Sequence, residues 1–164
     1  MDKNIIEQYK QEMLKMYGKT KAVPAVAQVS PPDAEPPSQG ELIAIVTTLR
    51  NLYPVNGAKV TVFTGNPDQM TVIDSDFTDN SGRTKSFLLP APAKQLSQTS
   101  GASEKPYASY NMLVEADGYI DNIHLNIPVF SGTTSLQNSN LMLSETAGEN
   151  KGPQIFDEAQ QFTL

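Results

Sequence analysis

Hydrophobic and polar residues follow two different periods along this chain, and the change falls near residue 40. Between Asp2 and Tyr17 the large apolar side chains Ile5, Ile6, Tyr9, Met13, Met16 and Tyr17 recur at short helical intervals, with no Gly or Pro among them. That spacing predicts an amphipathic helix carrying these side chains on one stripe. Gly18 is placed to end it, with Lys15, Lys19 and Lys21 near the negative end of its dipole. Beyond residue 40 the period is two. ELIAIVTTL (41–49), AKVTVF (58–63), MTVIDSDFT (70–78), RTKSFLL (83–89), SYNMLVEA (109–116), DNIHLNIPVF (121–130) and TTSLQNSNLML (133–143) each predict a strand. In the sixth of these, alternation sends Ile123, Leu125, Ile127 and Val129 inward and Asn122, His124 and Asn126 outward. Seven short strands punctuated by Gly, Pro and Asn predict an antiparallel β-sandwich over residues 40–143.

The remaining segments set the organisation. Residues 1–21 form the helical region, and 22–39, AVPAVAQVSPPDAEPPSQ, hold five prolines among small and polar residues. Such a composition gives a semi-extended linker that would span about 55 Å at the polyproline rise. A helix this short is marginal in water, so its apolar stripe is expected to be buried, on its own domain, on a second copy or in a partner's groove. The tether favours a protein partner or assembly reached through residues 1–21. Residues 90–108 make a loop too long for a hairpin. Residues 144–164 read as an acidic, flexible tail in which Ile155, Phe156, Phe162 and Leu164 are scattered.

Charge narrows the partners. The net charge is −6 over 164 residues, yet residues 1–21 carry five Lys against three acids. The sandwich region 40–143 has six bases and nine acids, and 144–164 has one Lys and four acids. An acidic chain without a basic stripe argues against nucleic acid, whose binding rests on phosphate neutralisation. No apolar run approaches the roughly 18 residues of a membrane span. The first residues interleave charge with apolar side chains and offer no signal-peptide core, so the chain as written reads as cytoplasmic, with spore or cell-wall association left open. There is no Cys, which excludes disulfides and thiolate metal sites.

PVNGAKVTVF (54–63), FTDNSGRT (77–84) and YNMLVEADGYIDN (110–122) follow one another in an order and spacing that resembles the carboxypeptidase regulatory-like domain. The resemblance covers residues 40–143 and implies a seven-stranded transthyretin-like, or prealbumin-like, β-sandwich. The matching positions are Gly40; Pro54, Val55, Gly57, Ala58 and Val60; Thr78, Asp79 and Gly82; and Val114, Ala116, Gly118 and Tyr119. Their expected roles are structural. Gly57 and Gly82 supply turn conformations, Ala58 starts an inward face, and Gly118 turns the chain ahead of Tyr119. A narrower likeness, through LLPAPAKQLSQ and PYASYNMLVEADGYIDNIHLNIPVFSGTTSLQNSNLML, is to small proteins of Gram-positive spore-formers described as peptidoglycan-binding or spore-cortex associated.

Catalytic chemistry finds little support at this level. His124 is the single histidine, which rules out a multi-histidine metal site and leaves one candidate base for a Ser-His-Asp arrangement. Alternation places it outward, with no nucleophile elbow in the chain. The hydroxyisourate hydrolase shares the transthyretin-like fold but uses several histidines and ends in Tyr-Arg-Gly-Ser, whereas this chain ends QQFTL. Asp74, Asp76 and Asp79 do not keep calcium-loop spacing. ELIAIVTTL has no Lys, which argues against the Lys–Asn or Lys–Asp isopeptide bond of CnaB-type surface domains. The expectation is therefore a non-enzymatic adaptor or structural protein without metal or cofactor, presenting its sandwich on an assembly through the helix. The alternative is a module that binds cell-wall glycan, with Tyr107, Tyr110 and Tyr119 as the ligand surface.

Overall fold

The computed structural model describes residues 4–12, 38–95, 101, 104–145 and 152–159. The chain divides into two compact units, Met1–Pro36 and Pro37–Leu164. In the first, residues 4–12 are helical, and Ile5, Ile6 and Tyr9 are 61%, 50% and 69% exposed. Met13, Met16 and Tyr17 of the expected stripe, and nearly all of the proline-rich segment 22–39, lie outside the described residues.

The second unit is a β-sandwich. Its strands are β1 (Gln39–Thr48), β2 (Tyr53–Pro54), β3 (Lys59–Thr64), β4 (Thr71–Phe77), β5 (Phe87–Pro90), β6 (Ala108–Glu115), β7 (Asn122–Val129), β8 (Thr134–Leu141) and β9 (Gln154–Asp157). One sheet is built around β1. Along one edge β1 pairs with β8 from Glu41↔Thr134 to Thr48↔Leu141. Its other edge is shared by β5 against Gln39–Leu42, an isolated bridge from Ile45 to Arg83, and β2 against Thr47–Thr48. The second sheet runs β4-β3-β6-β7-β9.

The seven strands expected from periodicity appear as β1 and β3 to β8. Three features differ. First, β1–β8 and β7–β9 pair in parallel, against the expectation of an antiparallel sandwich. Only hairpin-linked neighbours are obliged to be antiparallel, and neither pair is linked by one. Second, the strand expected over 83–89 is regular only from Phe87, because Thr84 substitutes its side chain for the ladder: its Oγ1 accepts from Ala44 N–H at 3.1 Å. Third, residues 154–157, inside the segment read as a flexible tail, form β9 against β7.

Leu42, Ala44 and Val46 of β1 face Val60 and Val62 of β3 and Met112 and Val114 of β6, all fully buried. Phe87 and Leu89 fill one side and Ile127, Val129 and Leu141 the other. Each such large apolar side chain is worth about 1.5–3 kcal/mol relative to an exposed position.

The YPVNGAKV corner is held by Thr78. Its buried hydroxyl accepts from Ala58 N–H at 2.9 Å and donates to the Val55 carbonyl at 2.6 Å, while Gly57 N–H donates to the Thr78 carbonyl. Val55 N–H reaches back to the Val46 carbonyl, joining the corner to β1. The following turn is closed by Asp79, whose carboxylate accepts from the Ser81 hydroxyl at 2.6 Å and from the backbone N–H groups of Ser81 and Arg83. Those bonds, the hydroxyl's first, hold its carboxyl below the usual carboxylate range. Gly57 and Gly82 both have positive φ, 74° and 75°, but differ in surroundings. A Cβ on Gly57 would touch nothing within 4 Å, whereas one on Gly82 would collide with the Val46 carbonyl and press on Pro54. Urea denaturation should therefore show Gly57→Ala losing about 1 kcal/mol and Gly82→Ala roughly 3 kcal/mol or more. Equal losses would contradict this reading of the corner.

Candidate functional site

Strand β7 does not keep its alternation. Asn122 and His124 are 0% and 3% exposed, while Ile127 and Val129 are also buried, so the inward parity changes within the strand. The register against β6 shows why. Tyr110 opposes Ile127 and Met112 opposes His124, so two steps on β6 match three on β7. The extra residue is a β-bulge. Asn126 absorbs it at φ 58°, a left-handed conformation that Asn tolerates better than most side chains. Asn111 of β6 fits the gap: its Oδ1 accepts from Asn126 N–H at 2.9 Å and its Nδ2 donates to the Gly65 carbonyl. The expectation of an outward His124 and Asn122 is thus corrected, and Leu125, expected inward, is half-buried.

Inside, His124 meets residues from three segments. Its Nδ1 lies 2.7 Å from Glu158 Oε1, just beyond β9, and its Nε2 lies 2.9 Å from Ser139 Oγ on β8. Asn122 Nδ2 donates to the same Ser139 Oγ at 3.0 Å, and Gln137 Nε2 donates to Glu158 Oε1 at 2.9 Å. These partners fix the roles: Nδ1–H donates to the carboxylate, and Nε2 accepts from the serine hydroxyl. Phe156 stacks on the imidazole with ring centroids 5.0 Å apart. Burial lowers the His124 pKa, and the hydrogen bond and charge of Glu158 only partly oppose it. Desolvation of the cation outweighs attraction to the carboxylate, so the ring is neutral at pH 7.

Ser139–His124–Glu158 therefore has the order and spacing of a serine–histidine–acid relay. Ser139 is 1% exposed, however, so its hydroxyl lies beneath the surface. In this arrangement the relay ties β7, β8 and the turn after β9 together. Above it opens a groove of about 650 Å³. Its walls include the amides of Asn51, Gln137, Asn138, Asn140 and Gln154 and the rings of Phe130 and Phe156, with His124 and Glu158 at its base.

The residues singled out from the sequence lie elsewhere. Tyr110 is buried between the sheets and donates to the Pro90 carbonyl, and burial raises its pKa. Tyr107 packs against Phe130 with ring centroids 5.4 Å apart, and Tyr119 bridges to Leu143. Pro54 lies in β2, Ala58 is fully buried, and Gly118 sits in the turn before Tyr119. Asp74 pairs with Lys85 at 3.1 Å, and Asp76 accepts from Lys85 N–H at 2.8 Å. Glu158, Ser139 and Gln137 escaped sequence reading. The one signal was Ile155-Phe156, an apolar pair inside an acidic segment.

The chain matches no protein-family profile and no curated protein sequence. Solved structures similar to it include the TIE protein of Bacillus anthracis, at 16% identity over 65% of this chain and 17% of that one, with a TM-score of 0.41. A catechol 1,2-dioxygenase from Acinetobacter is 13% identical over 68% of this chain and 54% of that one, TM-score 0.43. A minor pilin of Streptococcus agalactiae is 12% identical over 65% and 45%, TM-score 0.38. This chain spans less than two thirds of each of them, and the likeness concerns the fold. The expectation of a non-enzyme is corrected at this point. Several of the similar structures are intradiol-type or catechol dioxygenases, at 12–13% identity.

Two outcomes follow from the local geometry. Asn126→Gly should leave stability within about 1 kcal/mol of the parent, whereas Asn126→Val should cost about 2 kcal/mol, read by chemical denaturation. The second concerns pH. The unfolded chain protonates His124 near pH 6.5, the folded chain only at lower pH. Between those values the unfolded state holds more protons, so stability falls as pH falls through that window and levels off below it. Thermal melts from pH 7.5 to 5 should show this loss in the parent and a shallower one in His124→Gln. Parallel curves would show that His124 is not buried neutral.

Proposed function

We propose that this chain presents its sandwich on a larger protein assembly through the N-terminal helix. The observation that carries the reading is the exposure of Ile5, Ile6 and Tyr9, each at least half exposed on a helix described over only residues 4–12. Helices of this length gain most of their stability from packing. Burying three such side chains would contribute about 1.5–3 kcal/mol each, enough to order the helix on a partner. Among the described residues no helix is long and apolar enough to cross a membrane. A protein groove that takes residues at i and i+4, here Ile5 and Tyr9, is the matching surface.

The test compares the full chain with an Ile5→Glu, Tyr9→Glu double variant as baits in lysate of the source cell, with sedimentation of each alone. One or more proteins retained by the parent and lost by the variant, both baits being monomeric, are expected. Identical retention by the two baits would overturn the reading. Self-association lost in the variant would replace the assembly with a second copy of this chain.

A further inference from the structure

We propose that the groove between β7, β8 and β9 is a binding site for a neutral oligosaccharide, an inference independent of what the helix docks on. Three observations carry it.

The first is charge. Among the described residues no Lys or Arg lines the groove, and its carboxylate, Glu158, is already engaged by His124 and Gln137. A phosphate or carboxylate ligand would find no counter-charge there. The second is the density of amides. Asn138 and Gln154 make no side-chain hydrogen bond to any described residue, and each offers a donor pair beside an acceptor. That pairing matches adjacent sugar hydroxyls, which both give and take. The third is Phe156, 40% exposed, with one face on the His124 ring. Its position fixed by that stack, the phenyl ring offers an apolar plane to the C–H face of a pyranose. The groove's 650 Å³ lies within the usual span of small-ligand sites, about 300–1,000 Å³.

An extended peptide is the competing occupant, since among the described residues β8 pairs only with β1 and its other edge borders the groove. That edge is already occupied by side chains. The Asn138 carbonyl accepts from Gln137 Nε2 at 3.2 Å and the Asn140 carbonyl from Asn122 Nδ2 at 3.0 Å. An incoming strand would have to displace both amides to build its ladder. A saccharide, approaching from above through Asn138, Gln154 and Phe156, displaces neither.

The test is an amide-detected NMR titration of the full chain with chitotetraose, cellotetraose and maltotetraose, which separates N-acetylated wall-type glycan from plain glucans. Saturable shifts at the Asn138 and Gln154 side chains and the backbone of β9 are expected with at least one sugar, in the millimolar range or tighter. Phe156→Ala should weaken binding roughly fivefold to tenfold. Asn138→Ala, at an exposed edge position that leaves the core untouched, should weaken it by roughly threefold and guards against misfolding of the first variant. No saturable shift with any sugar, shifts outside the groove, or affinity unchanged by Asn138→Ala would overturn the proposal. So would an extended peptide that shifts these same residues where the sugars do not.

Discussion

One additional residue in β7 decides what lies between the two sheets at their open side. Had β7 kept strict alternation, Asn122 and His124 would face solvent and Ile123 and Leu125 the interior. The bulge instead delivers an amide and an imidazole to the inter-sheet space, beside Ser139 of β8. Burying such groups is costly unless each finds a partner. His124 finds two, and Ser139 Oγ both donates to the ring and accepts from Asn122 Nδ2, while Asn122 Oδ1 is buried without a partner among the described residues. The carboxylate that completes the set comes from Glu158, which explains why a four-residue strand in an acidic segment is worth keeping against β7. Without Glu158 the Nδ1–H would be buried beside Gln137, itself a donor, and the network would lose its one strong acceptor.

How much of this is legible in the sequence follows from the range of the forces involved. The sandwich is readable because strands buried on one face must alternate, and Leu42, Ala44, Val46, Val60, Val62, Met112 and Val114 do so. The Thr78-Asp79-x-x-Gly82 corner is readable because its hydrogen bonds are made by residues close in sequence. The bulge is not, since nothing within DNIHLNIPVF requires it. It arises from the register with β6 and from Asn111, which occupies the gap. Strand β9 is invisible for a different reason: Ile155 and Phe156 are both exposed, so it pairs through main chain and carries no periodic mark. The candidate site inherits both blind spots, being assembled from β7, β8 and β9 by contacts spanning 15 to 34 residues.

The relay also shows why geometry and reactivity are separate questions. Its distances are those that polarise a serine hydroxyl, yet catalysis needs that oxygen in contact with substrate and donors aimed at the developing charge. Ser139 is covered, while His124 and Glu158 border the groove. The same hydrogen bonds that would activate a nucleophile here serve to hold the short strand β9, while burial keeps the imidazole neutral.

The amides also guard the sheet edge. A sandwich whose sheet ends in an eight-residue strand with one edge unpaired among the described residues invites association with other strands. Here Gln137 and Asn122 turn their amides onto the edge carbonyls of Asn138 and Asn140. Those two side chains also belong to the His124–Glu158–Ser139 cluster. Edge protection and the buried network are thus a single structure: disturbing Glu158 frees Gln137, which exposes the Asn138 carbonyl. The groove keeps its polar walls and its distance from strand addition only while β9 is held in place, so the bulge that brings His124 inward ultimately determines what can approach this side of the sandwich.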